Sequence, residues 1–113
     1  MTLQNKTKKV RDALLTVSSS DVYHYSRPSS KDLQRFVVWK EDYVGEIYGN
    51  GSEQRLDGYI DLYTKKEFDP WVDEIEAACR KADILIELQG VQKGDPVNSS
   101  DNLIHYTWHW AVM

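Results

Sequence analysis

A single cysteine, Cys79, stands in 113 residues, so no disulfide can form within the chain. The fold must rest on a buried core, and such a chain suits synthesis in a reducing compartment. Nothing in the sequence approaches the ~20 apolar residues a membrane-spanning helix needs. The first residues are polar and basic, with no apolar stretch behind them, so no secretory leader is expected. An excess of positive charge is also missing: the net charge of −4 at pH 7 argues against a general, or sequence-specific, nucleic-acid binder. There is no internal repeat, low-complexity tract or linker, and residues 1–113 read as a single domain.

The usual marks of chemistry are absent too. Gly49-Asn50-Gly51 runs on into Ser52-Glu53-Gln54, without the helix start a phosphate-cradling loop requires. Ser, His and Asp occur, but in no elbow or activating motif. His105 and His109 fall on one strand face, yet at ~3.3 Å per residue they stand about 13 Å apart. Bonds from zinc to nitrogen are ~2 Å, so the two cannot share an ion. Cys79 sits in an apolar helical stripe and reads as a small core residue. The expectation is a protein without cofactor or metal, and not an enzyme.

What the chain does have is aromatic bulk and a strong element pattern. Four Trp and seven Tyr supply large apolar bodies with polar tips, suited to a core or an interface. Val10, Ala13, Leu14 and Val17 recur at helical spacing, so a helix is expected from Leu3 to Val17. Val22 to Tyr25 and Phe36 to Lys40 read as strands. The stretch Tyr43 to Tyr48 either extends the latter or forms a separate arm. The turn signal Gly49-Asn50-Gly51-Ser52 is followed by a returning strand, Arg55 to Thr64. Asp69 and Pro70 announce a second helix, with Asp73 and Glu74 in its first turn and Trp71, Ile75, Ala78, Cys79 and Ala82 on one face. Trp71 is expected in the core. Ile84 to Gln92 and Leu103 to Val112 complete the strands. In the last one, Ile104, Tyr106, Trp108, Trp110 and Val112 alternate with Leu103, His105, Thr107, His109 and Ala111. The order predicts an α+β fold: a mainly antiparallel sheet of about four to five strands, two helices on one face, and a long projecting β-hairpin.

Such a hairpin would expose Tyr43, Ile47, Tyr48 and Leu56 to water unless something covers them. Together with Arg55 these are the expected self-association residues; an arm folded back on its own domain is the plainer alternative. Charge is uneven as well. Lys6, Lys8, Lys9 and Arg11 precede the first acid, Asp12, while Glu41 to Asp61 carries six acids against Arg55 alone. The basic segment is therefore a candidate partner-facing patch, although two solvated faces would explain the same pattern.

Several phrases carry a family resemblance over nearly the whole chain: Val22-Tyr23-His24-Tyr25, Phe36-Val37-Val38-Trp39, Gly58-Tyr59-Ile60-Asp61-Leu62-Tyr63-Thr64-Lys65, the helix with Ile75, and the closing Tyr106-Thr107-Trp108-His109-Trp110. In this order they resemble the tail terminator, or tail completion, proteins of long-tailed phages and prophages. The resemblance implies a virion tail subunit, made in the bacterial host cytoplasm, that forms a ring, commonly of six copies. The ring ends the tail tube and meets the head–tail connector, so the implied partners are the chain itself, the tail tube protein and the connector. Another minor tail or head–tail connector protein is the nearest alternative. A small cytoplasmic ligand-binding domain, with the aromatic sheet face lining a pocket, is a more distant one.

Overall fold

The structure, a computed structural model, describes residues 1–28, 33–46, 54–93 and 103–113. The elements run α1 (Leu3–Leu15), β1 (Val22–His24), β2 (Arg35–Glu46), β3 (Gln54–Thr64), α2 (Trp71–Lys81), β4 (Leu85–Lys93) and β5 (Ile104–Val112). The strands form one mixed sheet in the order β1-β2-β3-β5-β4. β1 is parallel to β2, and every other neighbouring pair is antiparallel. The expected α+β architecture is the one observed.

Helix α1 starts where the Thr2 hydroxyl accepts from the Asn5 amide at 3.1 Å. It buries Lys6, Val10, Ala13 and Leu14, the i, i+4, i+7, i+8 stripe that turns one face to a sheet. The acids Asp73 and Glu74 and the bases Arg80 and Lys81 sit at the ends of α2 that complement its dipole. That helix ends in a left-handed turn at Asp83 (φ 59°). There the Ile84 amide reaches back to Cys79 O and the Asp83 amide to Arg80 O, closing the last carbonyls.

Both helices lie on the same side of the sheet. Val10 and Leu14 of α1 and Ile75 and Cys79 of α2 meet Val37, Trp39, Leu56, Ile60, Leu62, Trp108, Trp110 and Val112 in one core. The strict alternation of β5 explains why: a period of two sends its even-numbered aromatics to one face. Gly58 is required there. A Cβ at this position would stand 2.0 Å from Lys40 O and 2.5 Å from the Trp110 ring, so the ring can lie against bare backbone only at a glycine. A smaller cluster of Phe36, Tyr63 and Leu103 forms on the other side.

Two expectations need correction. β3 is hydrogen-bonded to β5 from Leu56 to Thr64, so Leu56 and Asp57, at the base of the expected arm, belong to an interior strand. Beyond the last row shared with β5, the ribbon is paired only at Gly45–Arg55 and Glu46–Gln54 among the described residues. Its turn, 47–53, lies outside them. Trp71 is only half-buried, packed on the rim of the core with the Arg35 guanidinium 3.7 Å above its ring. Replacing Trp71 by Ala is expected to cost about 1–2 kcal/mol, less than the ~3–5 kcal/mol of a fully buried tryptophan; urea unfolding would measure it.

Candidate association surfaces

The sheet face without helices carries an ordered polar layer. Asp61 Oδ1 lies 2.7 Å from His105 Nε2 and accepts from the Thr107 hydroxyl at 2.9 Å. That hydroxyl is also 3.0 Å from the same imidazole nitrogen. Four residues along each strand, His109 Nε2 meets Asp57 Oδ2 at 3.1 Å, and Arg55 Nε lies 2.8 Å from Asp57 Oδ1. Tyr63 stacks between Phe36 and His105, with ring centroids 4.7 and 4.2 Å away. Asp61, His105 and Thr107 satisfy one another within this layer. A base that activates a hydroxyl needs its second nitrogen held by the orienting carboxylate. Here carboxylate and hydroxyl converge on one nitrogen, which makes a packed triangle of mutual hydrogen bonds. Among the described residues no group of three or more His, Cys, Asp or Glu side chains is placed to hold a metal.

His24 lies apart, at the β1 edge on the helix side. It stacks on Trp39 (centroids 3.9 Å) and Tyr25 (4.0 Å), and its Nε2 contacts the Glu41 carboxylate at 2.8 and 3.0 Å. The Tyr25 hydroxyl donates to the same carboxylate. That hydrogen bond, with some desolvation and the charge of Glu41, raises the Tyr25 phenol above its ordinary pKa. Tyr25 has φ 74°. The chain turns there, and β1 ends after three residues.

Cys79 is fully buried. Desolvation pushes its thiol up to about 12, with Arg80 lowering it slightly and Glu76 raising it. It is an inert core residue, since only the thiolate reacts.

The expected association residues separate. Tyr43 is exposed on β2, as is its neighbour Val44. Ile47 and Tyr48 lie outside the described residues. Leu56 is buried in the core of its own chain and is not available to a partner. Arg55 is half-buried beside Asp57. In the basic segment, Lys8 and Arg11 are exposed and Lys9 is half-buried. Arg11 pairs with Asp12 at 2.9 Å. Lys6 is buried, with its ammonium donating to Gln54 O at the start of β3, so it belongs to the fold and is no partner-facing charge. The helical stripe that buries Val10 and Leu14 carries Lys6 inward with them.

Two features escaped the sequence reading. Strand β4 forms one edge of the sheet, and along its nine residues Leu85, Leu88 and Val91 are exposed. Read by period, Ile84 to Gln92 looks like any buried strand, because edge position is set by the order of strands in space. Phe68 is the second. It is 88% exposed, in a left-handed conformation (φ 56°) that a bulky residue rarely adopts. An open groove of ≈520 Å³ borders β4, lined by Leu85, Glu87, His109, Ala111, Arg55 and Met113. Under Phe36 and Tyr63 a cavity of ≈240 Å³ is smaller than typical ligand sites of ~300–1,000 Å³. Trp108 and Trp110 lie wholly beneath the helices and line neither space.

No described helix is long and apolar enough to cross a membrane. No protein-family model matches this sequence, and no curated protein matches it.

Proposed function

We propose that this protein is a structural subunit that works by assembling with copies of itself into a ring, without catalysing a reaction. One observation carries this reading: β4 is a nine-residue edge strand bearing three exposed aliphatic side chains, Leu85, Leu88 and Val91. A free edge offers a row of backbone donors and acceptors to another strand, and monomeric proteins commonly blunt such edges with charge, proline or cover. Along β4, the described protection amounts to a bulge between Leu88 and Gly90 and the charges Glu87 and Lys93. The exposed Tyr43 and Val44 on β2 and the strained, exposed Phe68 add apolar surface of the kind that marks protein contacts.

The biological setting comes from the sequence resemblance. As in tail terminators, the ring would end a phage tail tube and present one face to the tube protein and the other to the head–tail connector. A different head–tail joining subunit would draw on the same surfaces. Native mass measurement over a range of concentrations tests the assembly. A closed oligomer of one defined size is expected; a monomer at the highest concentration the protein tolerates would refute it. The tail assignment is tested separately, by adding the protein to tail tubes growing in solution and imaging their ends. Tubes of uncontrolled length with bare ends would exclude a terminator.

A further inference from the structure

We propose that neighbouring copies are joined through one continuous β-sheet, in which the outer edge of β4 in one copy pairs with the outer edge of β2, beyond β1, in the next. This rests on the ring reading above and names the seam. The two edges lie at opposite sides of the sheet. β1 pairs with β2 only from Val37 to Trp39. The last backbone link is the Tyr25 amide to Trp39 O at 2.8 Å, after which Tyr25 turns the chain away. From Lys40 to Glu46 no described strand lies on the outer side of β2.

Strand direction fits. β2 and β3, β3 and β5, and β5 and β4 are each antiparallel, so β4 runs opposite to β2. Two copies laid side by side in the same orientation therefore bring β4 against β2 as an antiparallel pair, the slightly stronger ladder. Side-chain parity fits as well. Leu88 and Val91 stand opposite Trp108 and Tyr106, and Val44 stands opposite Leu56, all on the helix-bearing face. Joining the edges continues that face from copy to copy and covers Leu88 and Val91 beside Val44. Asp42 on one edge and Lys93 on the other are exposed and opposite in charge.

Gly90 points to the approaching backbone. A Cβ built there meets nothing within 4 Å, and its φ is outside the left-handed region. The chain's own fold has room for a side chain, yet a residue that weakens strands sits in the middle of this edge. Interior strand glycines often mark a bulge or a site where another backbone comes close, and the β4 bulge adjoins this one. Because each contact uses one β4 edge and one β2 edge, a chain of copies keeps a free edge at each end until it closes on itself. A second copy of this chain is thus the occupant that matches both edges at once.

Cysteines at Leu88 and Val44, in separate chains, test the seam by oxidative cross-linking of the full-length protein. The buried Cys79 gives little background. Mixing Leu88→Cys with Val44→Cys is expected to give a covalent dimer that neither variant gives alone. A dimer from Leu88→Cys alone would mean that β4 pairs with β4 across a two-fold axis, which overturns the proposal. Gly90→Lys is expected to keep the parent's unfolding midpoint at concentrations where both are dissociated, while weakening assembly about tenfold or more, since its side chain needs the space the next copy fills. Assembly of a folded Gly90→Lys as strong as the parent's would also overturn it, and should that variant misfold, the cross-link decides. A parent that assembles without cross-linking loses only this seam; a parent that never assembles removes the ring reading with it.

Discussion

Replacing Trp108 by alanine is expected to lower stability by about 3–5 kcal/mol, the range for large aromatic truncations in a core. Trp108 is fully buried, with Ile60 and Leu88 as its cross-strand neighbours. Its indole N–H donates to Glu76 Oε2 of α2 at 2.9 Å, so the residue joins sheet to helix through both packing and a charged acceptor. Truncation opens a cavity that the surrounding strands cannot collapse into, because the β3 and β4 ladders hold their spacing. It also removes the donor from a carboxylate whose other partner among the described residues is Arg80, 3.7 Å away. A domain of this size has a total stability of roughly 6–17 kcal/mol, at ~0.05–0.15 kcal/mol per residue, so the loss takes a large share of it. Urea unfolding followed by far-ultraviolet circular dichroism is the suitable measurement, since tryptophan fluorescence itself changes in the variant. A loss below about 1 kcal/mol would show that the site is not packed as described.

The second large effect is expected at Asp69. Its side chain is fully buried between β3 and α2. One oxygen accepts from the Trp71 amide at 2.9 Å and from the Arg35 guanidinium; the other accepts from the Thr64 hydroxyl at 2.7 Å. Asp69 thus caps α2 from two residues before its first residue, Trp71, ties it to β2 through Arg35 and ties it to β3 through Thr64. Asp69→Ala is expected to cost about 3 kcal/mol, the low end for breaking a buried pair, because Arg35 is 31% exposed and regains water. Asp69→Asn keeps an acceptor for the helix amide and is expected to lose less.

The same network sets a pH dependence. Burial alone raises the Asp69 pKa, but the hydrogen bonds from Trp71 and Thr64 and the bond to and charge of Arg35 outweigh it, and the carboxyl titrates below its ordinary 3.8. A lowered folded-state pKa gives stability that is complete above the unfolded value and is lost as pH falls through the folded one. The gap between parent and Asp69→Asn should therefore be constant near neutrality and shrink below pH 3.8. A gap that widens on acidification would contradict the assignment.

Much of the fold was legible because it depends on local rules. The alternation of Ile104 to Val112 placed Trp108 and Trp110 on one face, and there they meet the helices. The stripe in α1 was legible in Val10, Ala13 and Leu14, and Asp69 and Pro70 announced α2 to within a residue. The association surface was harder to read. Leu56 looked like part of an arm because sequence cannot tell that β5, some fifty residues later, runs beside β3. Lys6 looked like one of a basic cluster, although its position on the apolar stripe was visible. Phe68 gave no signal at all, since its exposure follows from one left-handed residue in the turn before α2.

By itself the sequence determined the number and kind of elements, the faces they bury and the lack of any motif for chemistry, because helix and strand periods and caps act over a few residues. Only the tertiary structure decided the strand order, and with it which strands end the sheet. Edge position depends on contacts between distant segments, so the open β4 strand, with Leu85, Leu88, Gly90 and Val91 along it, became visible only once β5 had taken its place between β3 and β4.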